Sequence, residues 1–349
     1  MIFSLALLAL SVLVLPASRA GADEEPQPRL RLTRDPGGDG FVVPGRGLWL
    51  GADATVKLVL AEVGPHSLEL DDVDLLIRYE PTPRLALFTE VALENTFGFQ
   101  EGAGAISGSG DLSIERLYAD WAVTPHLTAR VGKFLTPFGL WNVIRRAPLT
   151  WTVERPLVTQ IFPEHATGLS LIYQTTWHGW SFDATGYGPA QDELAFRRSE
   201  ESGSRLAGGA RVTAAHELGP AYAAVGLSGS GFEDRSTREW ANITGADIDV
   251  ALWGNQLTGE FAYTHLRAPD VSREYGFYLQ DAVPIHGSLY GVARIEHFVP
   301  RTGESIDNQL LGLFWRPLPH LIIKADYQFT NRPNEDFQRG FVAEFSLFF

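Results

Sequence analysis

Polar and apolar residues alternate at period two through most of the chain beyond residue 47, and few folds accept such a pattern. Leu48, Leu50, Ala52, Ala54, Val56, Leu58 and Leu60 fall on one face, with Trp49, Asp53, Thr55 and Lys57 on the other. Side chains alternate across an extended strand, whereas a helix would carry a period-two run right around its circumference. The pattern recurs over residues 68–79, where Val73, Leu75, Ile77 and Tyr79 oppose Asp72, Asp74 and Arg78. It also ends the chain, where Phe341, Ala343, Phe345, Leu347 and Phe349 oppose Val342, Glu344 and Ser346.

About sixteen such segments succeed one another, an even number, as in bacterial outer-membrane barrels with short turns on one rim and long loops on the other. A soluble sandwich or solenoid would be built of strands of about five or six residues. These run to about ten, the span a tilted strand needs to cross a bilayer. Aromatic residues sit near segment ends, at Trp121, Tyr173, Trp177, Trp180, Trp253, Trp315 and Tyr327, where an interfacial girdle belongs. The expected fold class is all-β: a transmembrane antiparallel β-barrel of about 16 strands over residues 46–349, with one long inward-folded loop.

The first 22 residues read as a signal peptide. Ile2 to Val14 is apolar but too short to span a bilayer, and Pro16 with Ala17, Ser18, Ala20 and Ala22 suits a cleavage site. No Lys or Arg precedes that apolar run, which departs from the usual signal pattern. Residues 23–45, charged and rich in Gly and Pro, read as a periplasmic leader. With no cysteine there is neither a disulfide nor a thiolate metal site, and a net charge of −14 argues against nucleic acid. No G-x-S-x-G or H-E-x-x-H motif occurs and the histidines are scattered, so no enzymatic activity, metal or cofactor is expected.

Residues 133–167, KFLTPFGLWNVIRRAPLTWTVERPLVTQIFPEHAT, break the rhythm between the strand-like HLTARVG and GLSLIYQ. Pro137, Pro148, Pro156 and Pro163 exclude a continuous helix or a central strand. Phe138, Trp141, Trp151 and Phe162 supply apolar surface to pack. Lys133, Arg145, Arg146 and Arg155 against Glu154 and Glu164 give the segment a net charge of +2 within an acidic chain. Loops this long in compact folds are functional or disordered, and the aromatic content opposes disorder.

RVGKFLTPFGLWN, WTVERPLV and FPEHATGLSL resemble the corresponding region of the phosphate-selective porin O/P family, within the general-porin-like superfamily. The resemblance implies a long third loop between the fifth and sixth strands that folds into the barrel and narrows it. On that reading the pore constriction holds Lys133, Arg145, Arg146, Arg155, Glu154 and Glu164. The inward strand positions Arg78, Arg130, Arg211, Arg294 and Lys324 line the lumen wall beside Asp247, Asp249, Glu260 and Asp326. The resemblance further implies a homotrimer in the outer membrane, in contact with lipid bilayer and lipopolysaccharide. Phe349 looks like the C-terminal signal read by the barrel-assembly machinery. The expected function is passive diffusion of small hydrophilic solutes. A weak preference for small anions, phosphate among them, follows because charge in a narrow passage is screened less than charge on the rims. The alternatives are a non-conducting structural or adhesive barrel, or a carbohydrate-selective porin in which Trp141 and Trp151 stack sugars.

Overall fold

The computed structural model describes residues 41–43, 47–107, 110–144, 146–194, 204–235, 238–266, 273–301, 304–333 and 339–349. The expected signal peptide, most of the expected leader and Arg145 lie outside these residues. Sixteen strands build the wall: β1 (Leu48–Ala61), β2 (Ser67–Thr82), β3 (Leu85–Gln100), β4 (Asp111–Ala122), β5 (Leu127–Leu135), β6 (His165–Trp177), β7 (Trp180–Pro189) and β8 (Ser204–Leu218). They continue as β9 (Ala221–Asp234), β10 (Trp240–Leu252), β11 (Asn255–Leu266), β12 (Glu274–His286), β13 (Leu289–Val299), β14 (Ile306–Leu318), β15 (Leu321–Thr330) and β16 (Gly340–Phe348). Each pairs antiparallel with the next, and β16 returns to β1 from Gly340 opposite Ala61 to Phe348 opposite Asp53. This is the closed sixteen-strand barrel that the alternation predicts.

The strands are 9 to 16 residues long, enough to cross a bilayer at a tilt. Among the described residues no helix is long and apolar enough to do so. Two-residue turns such as His178-Gly179 and Trp253-Gly254 gather on one rim, with positive φ at both positions, as tight hairpins between twisted strands require. The longer connections gather on the other rim. Prolines shape the short-turn rim differently from expectation. Residues 80–84 and 282–287 read as turns, yet the strands run on to Thr82 and His286. The register slips between Tyr79 and Thr82, Pro284 and His286, and Trp315 and Leu318. Proline has no N–H for the ladder, and a bulge absorbs it without ending the strand.

Polar side chains point inward and apolar ones outward. Leu75 is 49% exposed beside Asp74 at 3%, and Leu347 is 49% exposed beside Ser346 at 0%. Leu171, Leu227 and Leu313 continue the outer belt. Trp121, Tyr173, Trp177, Trp180, Trp253 and Trp315 are exposed near the short-turn rim. Tyr327 sits toward the opposite rim with Phe329, so the expected aromatics divide between two girdles. The terminal Phe349 is tied into the sheet by reciprocal bonds with Ala52, N to O and O to N, both 2.9 Å.

Gly132 shows how tightly the wall is drawn. Its φ is 133°, and a Cβ there would lie 2.7 Å from Tyr118 Cα on the neighbouring strand. Gly132→Val is expected to lower the unfolding free energy by at least ~2 kcal/mol, read by urea titration of tryptophan fluorescence in detergent. An unchanged midpoint would show that β4 and β5 tolerate a side chain at their junction.

Candidate functional site

The insert leaves the wall at Leu135 and rejoins it at His165, between the fifth and sixth strands. Its neck is closed by backbone and side-chain bonds: Thr136 N–H donates to Glu164 O (2.9 Å), and Asn142 Nδ2 donates to Thr136 O (2.8 Å) and Glu164 O (2.9 Å). Beyond the neck the chain forms α1 (Trp141–Ile144) and two 3₁₀ turns, Ala147–Leu149 and Leu157–Gln160. The four prolines allow nothing longer. The apolar side of the insert, Phe138, Trp141, Leu157, Val158, Ile161 and Phe162, joins one buried cluster with Phe232, Ile243, Tyr278, Phe298 and Ile306 of the wall. The loop therefore lies inside the barrel.

Such a loop cannot satisfy its own backbone, and buried N–H and C=O groups need partners. Charged wall residues provide them. Glu260 accepts from the N–H groups of Leu140 (2.8 Å) and Trp141 (2.7 Å), and from Tyr278 Oη (3.1 Å). Gly139, at φ 64°, leaves room for that carboxylate, whose Cδ would stand 2.9 Å from a Cβ. Asp326 accepts from Val153 N–H and Glu296 from Leu157 N–H, each at 2.6 Å. Lys324 donates to Ala147 O (2.5 Å) and Thr150 Oγ1 (2.8 Å), and Arg294 to Thr152 Oγ1 (2.7 Å) and Glu154 O (2.9 Å). Arg211 donates to Gly139 O and pairs with Asp247 at 2.7 Å.

Of the expected constriction residues, Lys133 stands on the wall strand β5 and Arg146, Glu154, Arg155 and Glu164 on the insert, each in an ion pair, while Arg145 lies outside the described residues. Lys133 meets Glu193 at 2.8 Å, both buried. Arg146 Nε donates to Asp53 Oδ2 at 2.9 Å. Arg155 pairs with Glu164, and Glu154 meets Lys57 at 2.7 Å. Of the lumen-wall set, Arg211, Arg294 and Lys324 grip the insert. Arg78 and Arg130 stay near the short-turn rim, held by Glu80 and Asp120 at 2.7 Å each, with Arg130 stacked 3.8 Å above the Tyr118 ring. Trp141 is buried in the cluster, and Trp151 packs between Tyr290 and Phe314 with its Nε1 donating to Gln256 (2.8 Å). Neither indole stands free as a sugar platform.

Sequence reasoning missed Glu193, Glu296 and the partnership of Lys57. Glu296 was open to detection, because it stands two residues from Arg294 on the same inward face of β13. Glu193 was not, because it follows a strand end rather than sitting in the alternation.

Toward the long-loop rim the insert forms the floor of a vestibule of about 830 Å³. Six carboxylates (Glu69, Asp71, Glu154, Glu164, Asp234 and Glu274) and three cations (Lys57, Arg155 and Arg301) line it. Its fixed charge is thus negative, the reverse of the insert's formal charge.

Glu260 reveals how firmly the insert is seated by polar contacts. Glu260→Ala orphans two buried N–H groups, each worth about 1–3 kcal/mol. A loss of about 2 kcal/mol in unfolding free energy is expected, with the strand signature in circular dichroism retained. Unaltered stability would show that the apolar cluster alone seats the loop.

No protein-family model matches the chain, and no curated protein does. Solved structures match at low identity. The chain is similar to outer-membrane expressed OmpT of Vibrio cholerae, at 10% identity over 88% of this chain and 100% of that one, TM-score 0.57. Salmonella typhi OmpF in complex with daunomycin matches at 12% identity over 87% and 98%, TM-score 0.56. An anion-selective porin from Comamonas acidovorans matches at 12% over 86% and 98%, TM-score 0.50. The likeness is one of fold, an outer-membrane barrel matched over nearly its whole length.

Proposed function

We propose that the chain is an outer-membrane porin, a passive channel for small hydrophilic solutes. The observation that carries this is the pairing of an apolar outer belt with a charged inner wall that holds a long insert across the lumen. A barrel serving adhesion alone has no use for a vestibule that ends on such an insert. The outer belt and the girdles suit lipid and lipopolysaccharide. The resemblance over residues 130–171 supports a homotrimer, and delivery by the barrel-assembly machinery belongs to the same reading.

Selectivity follows from the lining rather than from the formal charge of the insert. Lys133, Arg146 and Arg155 each face a carboxylate, so the expected weak anion preference loses three of its four carriers; the fourth, Arg145, lies outside the described residues. The vestibule keeps its carboxylate excess in a confined space where screening is weaker than in bulk salt. A weak preference for cations is the reading this geometry supports best, and phosphate selectivity is not part of it.

Planar-bilayer recordings of the refolded protein in a salt gradient test both statements. The wild type should conduct with a reversal potential of cation sign, and Glu69→Gln with Asp71→Asn should move it toward zero. A protein that inserts and never conducts is a structural barrel, and anion selectivity would mean that Arg145 and the loop arginines govern the passage. Orientation is tested separately on whole cells carrying single cysteines. A substituted Glu304, in the long-loop rim, should label with an impermeant maleimide, while a substituted Thr82, in the short-turn rim, should not. The opposite pattern would place the vestibule in the periplasm.

A further inference from the structure

The insert is fastened to the wall in two unlike ways. Most of its polar fastenings come from later strands: Arg211 on β8, Glu260 on β11, Arg294 and Glu296 on β13, and Lys324 and Asp326 on β15. On the side of the first strand, two ion pairs join the insert to the wall. Arg146 of the insert pairs with Asp53, and Glu154 of the insert pairs with Lys57.

The two pairs are crossed in sign. Inward positions of β1 present an acid and then a base, four residues and about 13 Å apart along the strand, and the insert presents a base and then an acid. A loop shifted along β1 would set like charges against each other, so the pairs define one seat. They also differ in surroundings. Asp53 is 2% exposed and Arg146 9%, next to Asp74 and the Glu90–Arg116 pair. The Lys57 and Glu154 side chains are 23% and 35% exposed and belong to the vestibule. Screening weakens the outer pair, whereas the inner pair cannot open without leaving buried charge uncompensated.

At the height of these contacts the wall is buried on many strands. Asp53 and Thr55 of β1, Glu90 of β3, Ser170 of β6, Arg294 of β13 and Ser346 of β16 are all at or below 4%. Residues lining an open aqueous passage would be wetted. The insert as seated therefore closes most of the cross-section, and on the β1 side it is joined to the wall by these two charge pairs and by Val153, which packs against Val59, Ala61 and Val342.

We propose that the Arg146–Asp53 and Glu154–Lys57 pairs act as a two-point latch across the passage, setting the size of solute admitted, with the inner pair dominant. This rests on the porin reading above. It assigns Asp53 and Arg146 a role in limiting size, distinct from attracting or repelling ions by a free charge at the constriction.

The experiment uses the full refolded chain in planar bilayers for single-channel conductance and in liposomes for swelling with sugars of increasing size. Asp53→Asn and Arg146→Gln should each raise conductance at least twofold and admit larger sugars. The double exchange Asp53→Arg with Arg146→Asp should return both readouts toward wild type, because the pair is restored in reverse. Glu154→Gln, at the wetter pair where folding is not at stake, should give a smaller rise in the same direction. Circular dichroism and heat-modifiable migration on gels establish that each variant is a folded barrel. Folded single variants that conduct as the wild type does, or an exchange whose effects simply add, overturn the latch and leave the porin reading standing. If the wild type, the variants and a chain with residues 146–154 replaced by a Gly-Ser linker all fail to conduct, the porin reading falls and the latch with it.

Discussion

Backbone hydrogen bonding where water is scarce is the constraint on which the rest of this molecule depends. An open sheet would leave a row of N–H and C=O groups facing lipid, at several kcal/mol each. The last strand must therefore find the first, and β16 does so along nine residue pairs of β1. Closure fixes the remaining choices. Every strand acquires one face toward lipid and one toward the lumen, so Leu75 and Asp74 cannot trade places without cost. A ring of about eight strands can be filled by its own side chains, whereas sixteen leave a wide interior. Something other than the wall has to define that interior, and residues 136–164 do so.

The chemistry of the interior follows from the prolines of that segment. They deny it regular structure, and a buried chain without regular structure has backbone groups in search of partners. In a soluble protein such a loop would turn to water. Here the alternation has already placed charged side chains on the inner wall, and these become the partners. Carboxylates of Glu260, Glu296 and Asp326 accept N–H groups, while Lys324, Arg294 and Arg211 donate to carbonyls. Charges that the alternation alone would leave facing an open lumen are in large part bonded to the chain itself. What the insert leaves open is the vestibule, with its carboxylates and the more exposed ion pairs.

The fold was legible because period two is a long-range signal repeated in nearly every segment. Strand order, the place of the insert and the direction each face points all follow from it. Strand ends were not legible: Pro81 and Pro284 look like terminators, but bulges carry the ladder past them. The insert's content was visible, its contacts only partly so. A formal charge of +2 is additive over a sequence, whereas electrostatic influence depends on who stands opposite. Glu193, opposite Lys133, lies far downstream in a segment with no periodic signal. Asp53, by contrast, was a visible partner for a loop arginine, since it sits at an inward position of the first strand.

The seam between β1 and β16 carries a consequence for how the molecule is made. Thr55 and Ser346, 3.3 Å apart across it, are separated by 291 residues. A chain that has not yet reached residues 340–348 holds only one side of that seam. A chain broken off early cannot settle for a smaller ring, because its first strand is patterned for a partner that has not been made. Ring closure is thus the pairing of greatest sequence separation in the barrel, and it carries the largest loop-closure cost of any strand pair.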